Sequence, residues 1–184
     1  MTGQHFNDTG DGIFQDGEFI SWDWLNQHIH DQELRERYPN ASPALIEVLN
    51  DFVNVAIEYK ELTGQFLQCW GPMGEMWAFA HYGIKPHKPH TPGSDGKLGN
   101  DYIEVKTISP EKGNSEVSVK TCGNFNKLLV IKIDQDFNFE SRLIDRKALI
   151  KNTPTKFRNA KISWDRATQI VESNTKSSDE KKAV

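Results

Sequence analysis

The apolar residues of this chain change their spacing once, and that change limits what it can fold into. In PALIEVLNDFVNVAIEYKEL, residues 43–62, Leu45, Leu49, Phe52, Val53, Ala56 and Ile57 recur every three or four positions. That is the stripe of a helix of 3.6 residues per turn. From Gly93 onward the apolar residues come at every second position, the period of a half-buried strand. Helices first and a run of strands afterwards imply a mixed α/β domain, in which helices flank a central mixed sheet of about five strands.

The punctuation agrees with the periods. Ser42 and Pro43 read as a cap followed by a proline in the first helical turn, and Gly64 as the stop. Ser21 caps a second helix over 21–37, with Trp24, Leu25 and Ile29 on one side. A third runs from Met73 to Tyr82, where Met73, Met76, Trp77 and Ala80 share a face and Gly83 closes it. Strands are expected near 94–98, 101–109, 116–121, 127–134 and 139–145, then a short helix and a basic, irregular segment. Residues 1–20 read as an irregular acidic leader, 21–166 as one domain, and 167–184, polar and without an apolar pattern, as a disordered tail. Within the leader, Asn7, Thr9, Asp11, Gly12 and Glu18 partly match a calcium loop. The first ligands are weak and too few residues precede them for an entering helix, so a turn-rich leader is preferred.

No apolar run reaches the length of a membrane span, and the first residues lack the basic and apolar regions of a signal peptide. Cys69 and Cys122 are too few for a disulfide framework, have no CxxC spacing and read as buried thiols. A cytoplasmic protein is expected. Formal net charge is -4, which alone argues against a nucleic-acid partner. The distribution argues otherwise: residues 1–84 carry 13 acids and 3 bases, residues 85–166 carry 10 acids and 16 bases. Such asymmetry is a sign of a surface that faces a polyanion.

In the basic half lies GSDGKLGNDYIEVKTISP, residues 93–110. Gly99-Asn100 between two alternating runs signals a two-residue hairpin turn. Leu98 then faces Asp101, Lys97 faces Tyr102, Gly96 faces Ile103, and Asp95 falls opposite Glu104. Two acids paired on one face, their Cβ atoms about 4.5–5.5 Å apart, repel each other, and a divalent cation between them would relieve it. Glu104 and Lys106, two apart on a strand, point the same way, while Ile103, Val105 and Thr107 point to a core. A metal ion beside an ammonium suits phosphodiester hydrolysis: the metal activates water and the lysine answers charge building on the phosphate. The plain alternative is an exposed hairpin face with a lysine between two acids.

Asp95-x8-Glu104-Val-Lys106 resembles the core motif of the PD-(D/E)xK nuclease superfamily, the restriction-endonuclease-like fold. Ser94 stands where the family's name has proline. The resemblance covers about residues 70–145 and implies Asp95, Glu104 and Lys106 as catalytic residues. It also implies Mg²⁺, with Mn²⁺ as substitute, held by Asp95, Glu104 and an upstream helical acid, Glu75. DNA, double-stranded first, would be the substrate of a restriction or defence endonuclease, and cutting both strands favours a homodimer. Lys120, Arg142, Arg146, Lys147 and Lys151 would meet the DNA backbone. The alternative is an inactive protein of the same fold that holds nucleic acid or a protein partner. Zinc on Cys69, His81, His87 and His90 is disfavoured by the intervening prolines and the missing second cysteine. Trp22, Trp24, Trp70 and Trp77 read as core anchors, and no phosphate-binding glycine loop or nucleophile elbow is present.

Overall fold

The computed structural model describes residues 11–88, 91–151 and 159–182. Asn7, Thr9, His90 and the stretch 152–158 of the basic segment lie outside the described residues. The chain divides into two compact units, Met1–Ala41 and Ser42–Val184, where the sequence suggested one domain from residue 21.

The first unit is a hairpin followed by a helix. Strands β1 (Gly12–Gln15) and β2 (Glu18–Ser21) pair antiparallel from Gly12↔Ser21 to Gln15↔Glu18. Asp16 and Gly17 both take positive φ, 53° and 86°, the twist a two-residue hairpin turn requires. An irregular leader was expected here. The Asp-Gly pair between IFQ and EFI carried the strand signal, and the weak calcium-loop pattern overlapped it. Ser21 then caps α1 (Trp22–Arg37), its Oγ accepting the Trp24 N–H at 3.2 Å. No residue of α1 is fully buried, and Trp22 and Trp24, expected as core anchors with Trp70 and Trp77, are exposed where the latter two are buried.

In the second unit, α2 (Pro43–Thr63) stops at Gly64, which supplies the left-handed φ of 68°. Helix α3 (Trp70–Tyr82) stops the same way at Gly83, φ 67°. Then come β3 (Lys85–Pro86), β4 (Gly96–Leu98), β5 (Asp101–Ile108), β6 (Glu116–Lys120), β7 (Lys127–Ile133), β8 (Phe139–Asp145), α4 (Arg146–Lys151), β9 (Asn159–Ser163) and α5 (Trp164–Lys182). The five expected strands all form, but the sheet has other members. It is mixed, in the order β3-β4-β5-β7-β8, with β5 and β7 parallel and the other pairs antiparallel. Strand β6 leaves it to pair with β9, in the segment expected to be irregular. The short β3, too brief for a sequence period, takes the fifth place.

Helices cover both faces. On one, α3 packs so closely on β5 that a Cβ on Gly74 would collide with the Thr107 side chain. Trp77 stacks on Phe139 at 5.9 Å on the same side, and the Tyr82 and Ser141 hydroxyls meet at 2.9 Å. The other face buries Ile108, Leu128, Val130 and Ile144 against Val117 and Val119 of β6, Ile162 of β9, Leu149 of α4, and Ala167 and Ile170 of α5. The tail expected to be disordered is therefore helical to Lys182. Trp164, Ala167 and Ile170 dock its first turns, and a docked first turn removes the nucleation cost for the turns beyond it. Among the described residues no helix is long and apolar enough to cross a membrane.

Candidate active site

The hairpin register is the expected one for three rungs: Leu98↔Asp101, Lys97↔Tyr102 and Gly96↔Ile103. It does not continue to Asp95 and Glu104. The Asp95 N–H donates to the Ile103 carbonyl at 2.9 Å, so Asp95 and Gly96 both address Ile103, as at a β-bulge. Beyond Ile103, β5 has no strand on that side. Asp95 fills the gap with its side chain instead, Oδ2 accepting the Val105 N–H at 2.6 Å. The Val105 carbonyl accepts from Lys106 Nζ at 3.1 Å. Both backbone groups that β4 would have paired are thus satisfied by side chains the sequence had marked for chemistry.

Lys106 Nζ also pairs with Glu104 Oε1 at 2.6 Å, across the i, i+2 spacing that puts both on one face of the strand. The Glu104 side chain is 19% exposed and that of Lys106 32%. Glu104 is therefore balanced by Lys106, and Asp95 by a backbone donor. The direct carboxylate pair expected from the ladder is absent because the bulge carries Asp95 out of register. Glu75, on the second turn of α3, joins them around the sheet edge. Burial holds its carboxyl above the usual carboxylate range, the charges of Asp95 and Glu104 push the same way, and Lys106 opposes them. Four side chains from a helix, a bulge and a strand thus share one field. Among the described residues, no group of three or more His, Cys, Asp or Glu side chains is close enough to hold a metal ion.

A cleft of about 500 Å³ opens over this edge, lined in part by Trp70, Glu75, Lys106, Ser109 and Lys112. One residue that shapes it was not visible in the sequence. Glu111 accepts the Trp70 indole N–H at 2.6 Å and the Gln68 amide at 2.7 and 2.9 Å. This ties the loop after β5 to the first turn of α3, the helix that carries Glu75. A contact over some forty positions leaves no local signal, and Glu111 in PEKGN reads only as a loop acid.

The basic residues expected at nucleic acid separate into two kinds. Arg142 donates Nε to Thr168 Oγ1 at 3.1 Å and lies 4.5 Å over the Trp164 ring. Arg146 donates to the Thr121 and Phe125 carbonyls at 2.7 and 3.2 Å and stacks on Phe125. Both arginines tie elements together, which accounts for them without a ligand. Lys120, Lys147 and Lys151 are exposed. Lys120 ends β6, and the other two lie on α4, so none of the three shares an element with the carboxylates. His81 stacks on Trp77 at 4.4 Å and His87 lies against Tyr102 at 5.8 Å, while of the two thiols expected to be buried Cys69 is half-buried and Cys122 exposed. No protein-family model matches the chain, and no curated protein matches it.

Proposed function

We propose that this is a Mg²⁺-dependent endonuclease that hydrolyses DNA phosphodiester bonds, double-stranded DNA first, in a cytoplasmic restriction or defence role. One observation carries the reading: Glu75, Asp95, Glu104 and Lys106 share an electrostatic neighbourhood at the uncovered edge of β5, beside an open cleft. The donor set suits the ion, since carboxylate oxygens are what Mg²⁺ prefers. It also suits the field, because Glu75 already feels the negative charge of Asp95 and Glu104. Asp95, Glu104 and Glu75, which are not grouped closely enough for an ion as they stand, would have to draw together to hold it, and the ion when bound supplies Lewis acidity toward phosphate and water. Lys106 keeps an ammonium at the cleft wall, where it answers charge that grows on the phosphate as the bond breaks.

A second reading keeps the fold without catalysis, as a module that holds nucleic acid or a protein partner. The Lys106–Glu104 ion pair favours it, because a paired ammonium and carboxylate account for each other without a substrate.

Single-turnover cleavage of a bound DNA duplex in Mg²⁺ or Mn²⁺ separates the two. Wild type should cut, and Lys106→Ala should bind the duplex equally while its rate drops about a hundredfold to a thousandfold, as for loss of one donor at developing charge. Asp95→Asn, which keeps an acceptor for the Val105 N–H, and Glu104→Gln should each abolish Mn²⁺ binding in calorimetry. A wild type that binds DNA and cuts under neither metal hands the fold to the second reading.

A further inference from the structure

Helix α2 has two apolar stripes, and the second unit uses only one. Leu49 and Ala56 are buried, and Val53 and Ile57 lie beside them, half-buried. The other stripe is Leu45, Val48, Phe52, Val55, Tyr59 and Leu62, spaced alternately three and four apart for three repeats, so Leu45 and Phe52, expected on the core stripe, belong to this one. That is the a/d spacing of a helix-on-helix seam. It faces solvent: Val48 is 51% exposed, Val55 55% and Leu62 79%. At 1.5 Å per residue the seam from Leu45 to Leu62 is about 26 Å long. Single exposed apolar residues need no explanation, but five on one helix in continuous register, with a half-buried Phe52 among them, do.

The charges beside the seam say what fits it. Helical spacing puts Asp51 and Glu58 directly beside the seam on its free flank, with Glu47 and Glu61 further round the helix, and all four are exposed. The only base of the helix, Lys60, lies elsewhere, donating to the Gln135 carbonyl at 2.8 Å and stacking on Phe66. A second copy of α2 laid antiparallel on the first would bring Asp51 and Glu58 against the same acids of its twin, which disfavours it. A helix with apolar anchors at the same spacing and Lys or Arg beside them meets both the stripe and the acids.

We infer that the outer face of α2 is a docking surface for a basic amphipathic helix of a protein partner. The surface is independent of the β5 edge and of any nuclease activity.

The test uses the full chain and two labelled 21-residue heptad peptides, both with Leu at a and d, one with Lys at e and g and the other with Glu there. Fluorescence anisotropy should show saturable binding of the Lys peptide and at least about tenfold weaker binding of the Glu peptide. Val55→Asp, at an exposed position that leaves the thermal melt unchanged, should weaken the Lys peptide by at least about tenfold, as loss of a central anchor does. Asp51→Lys with Glu58→Lys should reverse the preference between the peptides. Lys-peptide binding that survives Val55→Asp would be charge attraction alone and would overturn the proposal. A preference unchanged by the double lysine variant would overturn it too. So would sedimentation showing that the chain alone is a dimer which Val55→Asp dissociates, since the seam would then belong to a second copy.

Discussion

Glu75 is the residue where burial and charge meet most sharply. Its carboxyl is held above the usual range by burial first, then by Asp95, with Glu104 adding and Lys106 opposing. In the unfolded chain these influences vanish and the proton leaves at lower pH. Between the two values the folded protein holds a proton that the unfolded chain has lost, so stability falls as pH rises through that window. Glu75→Gln removes the titration. In chelator, its melting temperature relative to wild type should be higher at pH 7 than at pH 4, as read by thermal melts at both. An equal difference at the two pH values would mean that Glu75 is solvated like any surface acid. The sequence marked Asp95, Glu104 and Lys106 through a motif, and Glu75 through its place on a nearby helix. It did not mark the bulge, because a one-residue shift in pairing depends on how the Asp95 carboxylate reaches the Val105 N–H, which no residue spacing encodes.

At the scale of elements, α3 is placed by the absence of a side chain. Gly74 lies against Thr107, so the helix sits low on β5 and brings Glu75 to the sheet edge. Alanine would gain about 1 kcal/mol of helix propensity, yet overpacking a tight contact costs about 1–3 kcal/mol. Gly74→Ala should therefore lower stability by up to about 2 kcal/mol in urea unfolding. Thr107→Ala in the same chain should recover most of the loss, a coupling that a double-mutant cycle measures directly. Additive effects would show that the two do not touch. Elements with a strong local period were legible: α2 between Ser42 and Gly64, and the hairpin turn at Gly99-Asn100. Elements fixed by distant partners were not. Strand β9 reads NAKIS, two apolar residues in a basic stretch, and is a strand because β6 stands beside it.

For the whole molecule, the class of fold followed from the single change of period, whereas the membership of the sheet did not. Strand β5 joins the parallel β7 through a connection that holds β6, and β6 waits for a partner that comes much later in the chain. Its rungs run from Lys120↔Asn159 to Glu116↔Ser163, with Val117 and Val119 facing Ile162 and Ala160. During synthesis the central sheet is complete in sequence by Asp145, while β6 has no strand to pair with until roughly forty residues after its own emergence. A released chain truncated after residue 150 should therefore be cut by protease within 116–120, and the full-length chain should be protected there. Cleavage at this stretch is the measurement, and equal protection at both lengths would mean that β6 is held without β9. The order of translation thus leaves one valine-bearing strand edge open for a fixed interval, and in that interval the unfinished chain is most exposed to pairing with its neighbours.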